Sequence, residues 1–162
     1  MTCTVKDSNF KRLNEIYRSA FYRRVLWFPT NPIVGNDLCV VPFLQNAIIH
    51  KWLKETETKF DNIKIDKYVI MPNHIHIIVV ITERHAGRSL HDVMRWFETM
   101  ATNEYIRDIK KGVIKPFNKR LFQESFHDHI IRGEKDYQKI WEYIDANPIK
   151  WELDCFYNGE RP

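Results

Sequence analysis

The run His74-Ile75-His76-Ile77-Ile78-Val79-Val80-Ile81 constrains the fold more than any other part of the chain. It is strand-sized, β-branched outside the two histidines, and apolar at both alternating sets of positions. That describes a central strand covered on both faces. Period-two residues Ile63, Ile65, Tyr68 and Ile70 precede it, and Met71-Pro72-Asn73 reads as the turn between two strands. The rest of the pattern supplies the cover. A helix is predicted over Phe43 to Phe60, with Leu44, Ala47, Ile48 and Trp52 inward and Lys51, Lys54 and Glu55 outward. Ser89 reads as an N-cap, with Asp92 three residues on as in a capping box. Leu90, Val93, Met94, Phe97, Met100 and Ala101 then form a helical stripe that Gly112 ends. Residues 120–131 read as extended, through Leu121, Phe122, Phe126, Ile130 and Ile131. A last helix runs from Glu134 to Ala146, with Tyr137, Ile140, Trp141 and Ile144 on one side and Pro148 as its stop. Strands and helices intermix without a regular βαβ rhythm, so the expected class is α+β, a small and mostly antiparallel sheet packed by helices.

A chain of 162 residues suffices for one domain with a real core. Three cysteines, Cys3, Cys39 and Cys155, lack any metal-binding or disulfide spacing, which suggests reduced thiols in a cytoplasm. No secretory pattern or membrane-length apolar run is evident. Net charge is +4, and its distribution says more than its size. Arg107, Lys110, Lys111, Lys115, Lys119 and Arg120 crowd one segment against a single acid, Asp108. Lys11, Arg12, Arg18, Arg23 and Arg24 form a second basic group. Either alone describes a solvated face, whereas two in a small domain favour a polyanionic partner. Residues 1–35 give few signals: Phe10, Leu13, Ile16 and Tyr17 suggest a short amphipathic helix, and Pro29 and Pro32 break the pattern beyond it.

The chemistry-bearing residues are few. His74 and His76 are two apart on a strand, so both rings project from one face, roughly 7 Å apart at the backbone. They can converge on one metal ion, or one can be a buried, hydrogen-bonded core histidine while the other sits near the surface. Polar rings opening so apolar a strand need satisfaction either way. Two ligands make a poor metal site, and the last helix offers a third in the side-chain carbonyl of Asn147. Tyr143 lies one turn from it on the same face, where a phenol beside a metal becomes a usable nucleophile. Taken singly, Tyr143 also reads as a packing aromatic and Asn147 as a helix end before a proline. His127 and His129 form a second histidine pair flanking Asp128, either lining a ligand channel or simply ending a strand. Arg132 suits a phosphate contact, and Tyr137 is the weaker nucleophile candidate.

Taken together these residues resemble a family. Tyr68-Val69-Ile70-Met71-Pro72-Asn73-His74-Ile75-His76 is similar to the histidine–hydrophobic–histidine motif of HUH single-tyrosine transposases. Phe126-His127-Asp128-His129-Ile130-Ile131-Arg132, with Tyr143-Ile144-Asp145-Ala146-Asn147-Pro148 after it, resembles the C-terminal signature of their REP-associated tyrosine transposase branch. The resemblance covers about residues 36–157 of a single domain, 1–162, whose first 35 residues are atypical. It implies an antiparallel, ferredoxin-like central sheet flanked by helices, with the tyrosine helix laid against the metal face. It implies Mg²⁺ or Mn²⁺ held by His74, His76 and Asn147, with Tyr143 as nucleophile. Cleavage of single-stranded, hairpin-associated DNA would leave a 5′-phosphotyrosine and a free 3′-hydroxyl, and a second 3′-hydroxyl would complete strand transfer. Lys110, Lys111, Lys115, Lys119, Arg120 and Arg132 are the expected DNA contacts. Family members begin with an aromatic-rich strand in the central sheet, for which Ala20 to Phe28 is the best match here. Relatives include both monomers and dimers that exchange the tyrosine helix, and the sequence leaves that choice open. Two other functions fit the same residues: a hairpin-binding module of this fold without catalysis, and an unrelated zinc hydrolase built on His74, His76, His127 and His129.

Overall fold

The computed structural model describes residues 20–27, 40–72, 74–82, 89–117 and 120–150. Within these, β1 (Ala20–Trp27), α1 (Val40–Lys59), β2 (Ile63–Ile70), β3 (His74–Ile81), α2 (Leu90–Lys110), β4 (Phe122–Ile130) and α3 (Glu134–Ala146) succeed one another along the chain. The strands form one antiparallel sheet in the order β2-β3-β1-β4. The α+β expectation therefore holds. So does the reading of β3 as an inner strand, since seven of its eight residues are buried. The short amphipathic helix expected around Phe10 to Tyr17 lies outside the described residues, as do Lys11, Arg12 and Arg18.

Alternation along the inner strands sends side chains to two different layers. Val25, Ile75, Ile77 and Val79 join Ile48, Ile49, Trp52 and Leu53 of α1 and Val93, Met94, Phe97, Ala101 and Tyr105 of α2 in the larger core. Ala20, Tyr22, Ile78 and Val80 pack with Ile131 and Ile144 in a smaller core beneath α3, with Tyr137, Ile140 and Trp141 against it. The capping box of α2 is present: the Asp92 N–H donates to Ser89 Oγ at 3.2 Å, and the Ser89 N–H donates to Asp92 Oδ2 at 3.2 Å. Gly112 lies just beyond that helix with φ +74°, a conformation that suits glycine.

Two expectations need correction. The inward stripe of α1 is shifted, because Ala47 is exposed while Ile49 and Leu53 are buried. The Trp52 indole N–H donates to Glu104 of α2 at 2.5 Å, which fixes the rotation of α1. Ile130, at the end of β4, is exposed. The strand expected at Ala20 to Phe28 is present as β1, an inner strand joining β3 to β4. Finally, Arg23 does not belong to an exposed basic patch. It is 1% exposed and donates from Nε and Nη2 to the two carboxylate oxygens of Asp128, each at 2.6 Å. A fork of this kind satisfies a charge that an inner strand could not otherwise bury. Its neighbour Glu98 on α2 is pushed up to about 7 by burial, against the pull of Arg23 and Arg95.

Candidate active site

The site forms where β3 begins and where α3 crosses the smaller core. Register places His76 beside Arg24 of β1 and Val69 of β2, and places Tyr22 of β1 beside Ile78. His74, His76 and Tyr22 therefore share the face beneath α3. The histidines are fully buried, and their Nε2 atoms stand 2.9 Å apart. Tyr22 Oη lies 2.5 Å from His76 Nδ1, with the two rings stacked at 5.7 Å. Burial first, then His74 and Arg24, push the His76 imidazolium down to about 3, so His76 is neutral at ordinary pH.

This arrangement has a definite chemical meaning. Two imidazole nitrogens can face each other at that distance only if one Nε2 carries a hydrogen, or if a cation lies between the lone pairs. Adjacent ligands of an octahedral ion with bonds of about 2.1 Å stand about 3.0 Å apart, which matches the observed gap. Tyr22 serves either case, because a hydroxyl can donate to a bare Nδ1 or accept from a protonated one. Tyr22 is the residue that the sequence pattern did not single out, and Arg24 entered only as one of a basic group. The only available signal was a polar tyrosine and an arginine on a strand whose place in the sheet was unclear.

α3 brings the tyrosine. The Tyr143 ring lies edge-on to His76 at 5.2 Å and edge-on to Tyr22 at 6.5 Å, and the residue is 46% exposed. A half-open phenol beside a buried histidine pair can be reached by a large substrate. Asn147 comes one turn later and is 5% exposed, although a helix-terminal asparagine usually faces water. Among the described residues no three His, Cys, Asp or Glu side chains gather to hold a metal, and within that set an amide such as Asn147 is the kind of third ligand left to consider. Two imidazoles and one amide oxygen would fill half the positions of an octahedral ion and leave the other three for water or substrate oxygens.

The other candidates make contacts of their own, although the β1–β4 register puts His127 beside Arg24 and His129 beside Tyr22. Tyr137 donates its hydroxyl to Asp66 of β2. His129 Nε2 meets Asp136 at 2.8 Å, and Asp136 also accepts the Arg132 N–H at 3.0 Å. The four-histidine zinc set is not assembled by the described residues, since His129 is engaged at the start of α3; the side chain of His127 lies outside them. Lys110, Lys111, Lys115, Arg120 and Arg132 are exposed, with Lys111 paired to Asp108 at 2.9 Å, and Lys119 lies outside the described residues. The basic segment leads into Phe122, which pairs with Trp27, one residue beyond the pairing of Leu26 with His74. It therefore reaches the sheet at the end where His74 sits.

A family model described as "Transposase IS200 like" matches residues 45–147. The chain belongs to this family. A REP-associated tyrosine transposase of Escherichia coli (strain K12) is 32% identical over 135 residues, 83% of this chain and 72% of that one, which places the chain in the REP-associated tyrosine transposase branch. An uncharacterized protein of Haemophilus influenzae is 36% identical over 110 residues, and the chain spans 61% of its length. The solved structure of a REP-associated tyrosine transposase bound to a REP hairpin superposes with a TM-score of 0.61 at 18% identity, covering 95% of this chain and 76% of that one. That likeness shows a shared fold. Among the described residues no helix is long and apolar enough to cross a membrane.

Proposed function

We propose that the chain is a metal-dependent single-stranded DNA endonuclease and strand transferase acting on hairpin-associated DNA. The observation that carries this reading is the meeting of a half-open tyrosine with a buried histidine pair. His74, His76 and Asn147 would hold a divalent ion, which supplies positive charge at the scissile phosphate. Tyr143 Oη attacks the phosphorus, forming a phosphotyrosine bond to the 5′ side as the bond to the 3′ oxygen breaks. The phenolic proton passes to solvent and the departing 3′ oxygen takes one up. Attack by another 3′-hydroxyl reverses these bond changes, so no external energy source is needed. Arg24, in register with His76, adds a fixed cation close to the phosphate.

A labelled single-stranded oligonucleotide from the flanks of the gene, including any hairpin, tests the proposal. Incubation with Mn²⁺ should yield a denaturation-resistant protein–DNA adduct. Tight binding with no adduct under any divalent ion would favour the binding-module reading.

The same reading sets two further expectations. Tyr22→Phe should weaken Mn²⁺ affinity about 10- to 100-fold, as removal of a metal ligand's hydrogen-bond partner typically does. Calorimetric Mn²⁺ titration measures this directly, and an unchanged affinity would exclude the orienting role. Affinity for the oligonucleotide should fall steeply with salt. Neutralising Lys110, Lys111, Lys115 and Lys119 together should flatten the log–log slope by roughly 0.7 for each phosphate no longer neutralised. An unchanged slope would put the DNA path elsewhere.

A further inference from the structure

Tyr143 is half-exposed, so its position is set largely by the position of its helix. Yet α3 is poorly anchored by apolar burial, with Ile144 its one buried residue. A single-residue roll of an α-helix turns each side chain by about 100°, which would carry Tyr143 away from His76. The smaller core is apolar and non-directional, and does not by itself prevent such a roll.

Directional contacts do. The β2–β3 register slips between Ile65 and Lys67, which makes Asp66 the extra residue of a bulge. A bulge re-aims side chains, and these two consecutive residues both meet α3. Asp66 accepts the Tyr137 hydroxyl, and Lys67 pairs with Asp145 while its ammonium lies 4.2 Å from the centre of the Trp141 ring. On the other flank, His129 of β4 meets Asp136 at 2.8 Å. β2 and β4 are the two outer strands of the described sheet, so the helix is tied on both sides. Ties on opposite flanks oppose rolling in either direction.

We infer that Asp66 and Lys67 are positioning residues: through Tyr137, Trp141 and Asp145 they fix the rotation of α3, and hence the place of Tyr143 beside the histidines. The inference rests on the reading of Tyr143 as nucleophile. The double variant Asp66→Ala/Lys67→Met, in the full chain, should speed amide hydrogen exchange across residues 134–147 by about tenfold or more, since it removes two directional contacts. Its single-turnover cleavage of the labelled hairpin oligonucleotide should fall about 10- to 100-fold, as small misplacements of reacting groups do. Affinity for that oligonucleotide should not change, and Asp66→Asn/Lys67→Arg, which keeps an acceptor and a cation, should restore both readouts. Unchanged exchange in α3, or faster exchange with an unchanged cleavage rate, would overturn the inference. If Tyr143→Phe still forms the adduct, the nucleophile assignment fails instead, and the exchange measurement still reports whether the clamp holds the helix.

Discussion

Replacing His74 with alanine should lower the rate of DNA cleavage roughly a thousandfold or more while leaving hairpin affinity within a few-fold of the parent. Loss of a ligand that positions charge at a phosphate removes several kcal/mol of transition-state stabilisation, and each 1.4 kcal/mol is about a factor of ten. In the proposed reading, affinity rests on a different part of the molecule, the exposed cations Lys110, Lys111, Lys115, Arg120 and Arg132. His74→Ala takes away the 2.9 Å neighbour of His76 Nε2. His76→Ala also strips Tyr22 of its 2.5 Å partner and so mixes two effects. Both histidines are fully buried, so truncation leaves a gap, but it also removes a polar ring from a face otherwise lined by residues such as Ile78 and Val80. A thermal melt should therefore accompany the kinetics, and it should show a folded variant. Normal cutting by His74→Ala would remove the metal from the proposed chemistry. A parallel loss of DNA affinity would instead make the histidines part of the binding surface.

The division of labour between the two faces of the sheet explains what the sequence made legible. β3 announced itself because seven buried positions in a row leave almost no choice of residue, and the two exceptions to apolarity were the candidate ligands. The boundaries of α3, Glu134 to Ala146, were readable from its stripe and from Pro148. Its face was legible for the same reason: Tyr143 and Asn147 are one turn apart, and the structure buries the second while exposing half of the first. β1 was much harder. Ala20–Trp27 reads AFYRRVLW, and two adjacent arginines inside an inner strand contradict the usual pattern. The contradiction is resolved by a residue more than a hundred positions away, since Asp128 satisfies Arg23. Charge counting along the chain cannot separate a buried, paired arginine from a surface one. Tyr22 was hidden by the same uncertainty, because its role depends on strand order rather than on any local motif. The Asp66 bulge likewise has no local signature; a polar residue in a period-two strand looks like an ordinary outward position.

Tyr143→Phe is expected to abolish the covalent adduct completely, because a benzene ring offers no atom to bond to phosphorus. The substitution removes one oxygen from a residue that is 46% exposed and whose hydroxyl is not required to satisfy a buried partner, so fold and DNA affinity should stay close to the parent. The ring itself, edge-on to His76 at 5.2 Å and to Tyr22 at 6.5 Å, is preserved in phenylalanine, and with it those aromatic contacts. The Mn²⁺ affinity should be retained as well, which distinguishes this variant from Tyr22→Phe and from His74→Ala. Tyr137 is the only other tyrosine on α3, and it provides the control. Its hydroxyl is committed to Asp66, so Tyr137→Phe should loosen the helix and slow the reaction without eliminating the adduct. Digestion of the parent adduct and mass spectrometry of the fragments should assign the nucleotide to the peptide carrying Tyr143. An adduct that persists in Tyr143→Phe would end the assignment and make Tyr137 the next residue to test. Loss of the adduct in Tyr143→Phe with DNA and Mn²⁺ affinity intact would separate this chain from a hairpin-binding module and from a metallohydrolase, since neither needs a phenolic oxygen at that position.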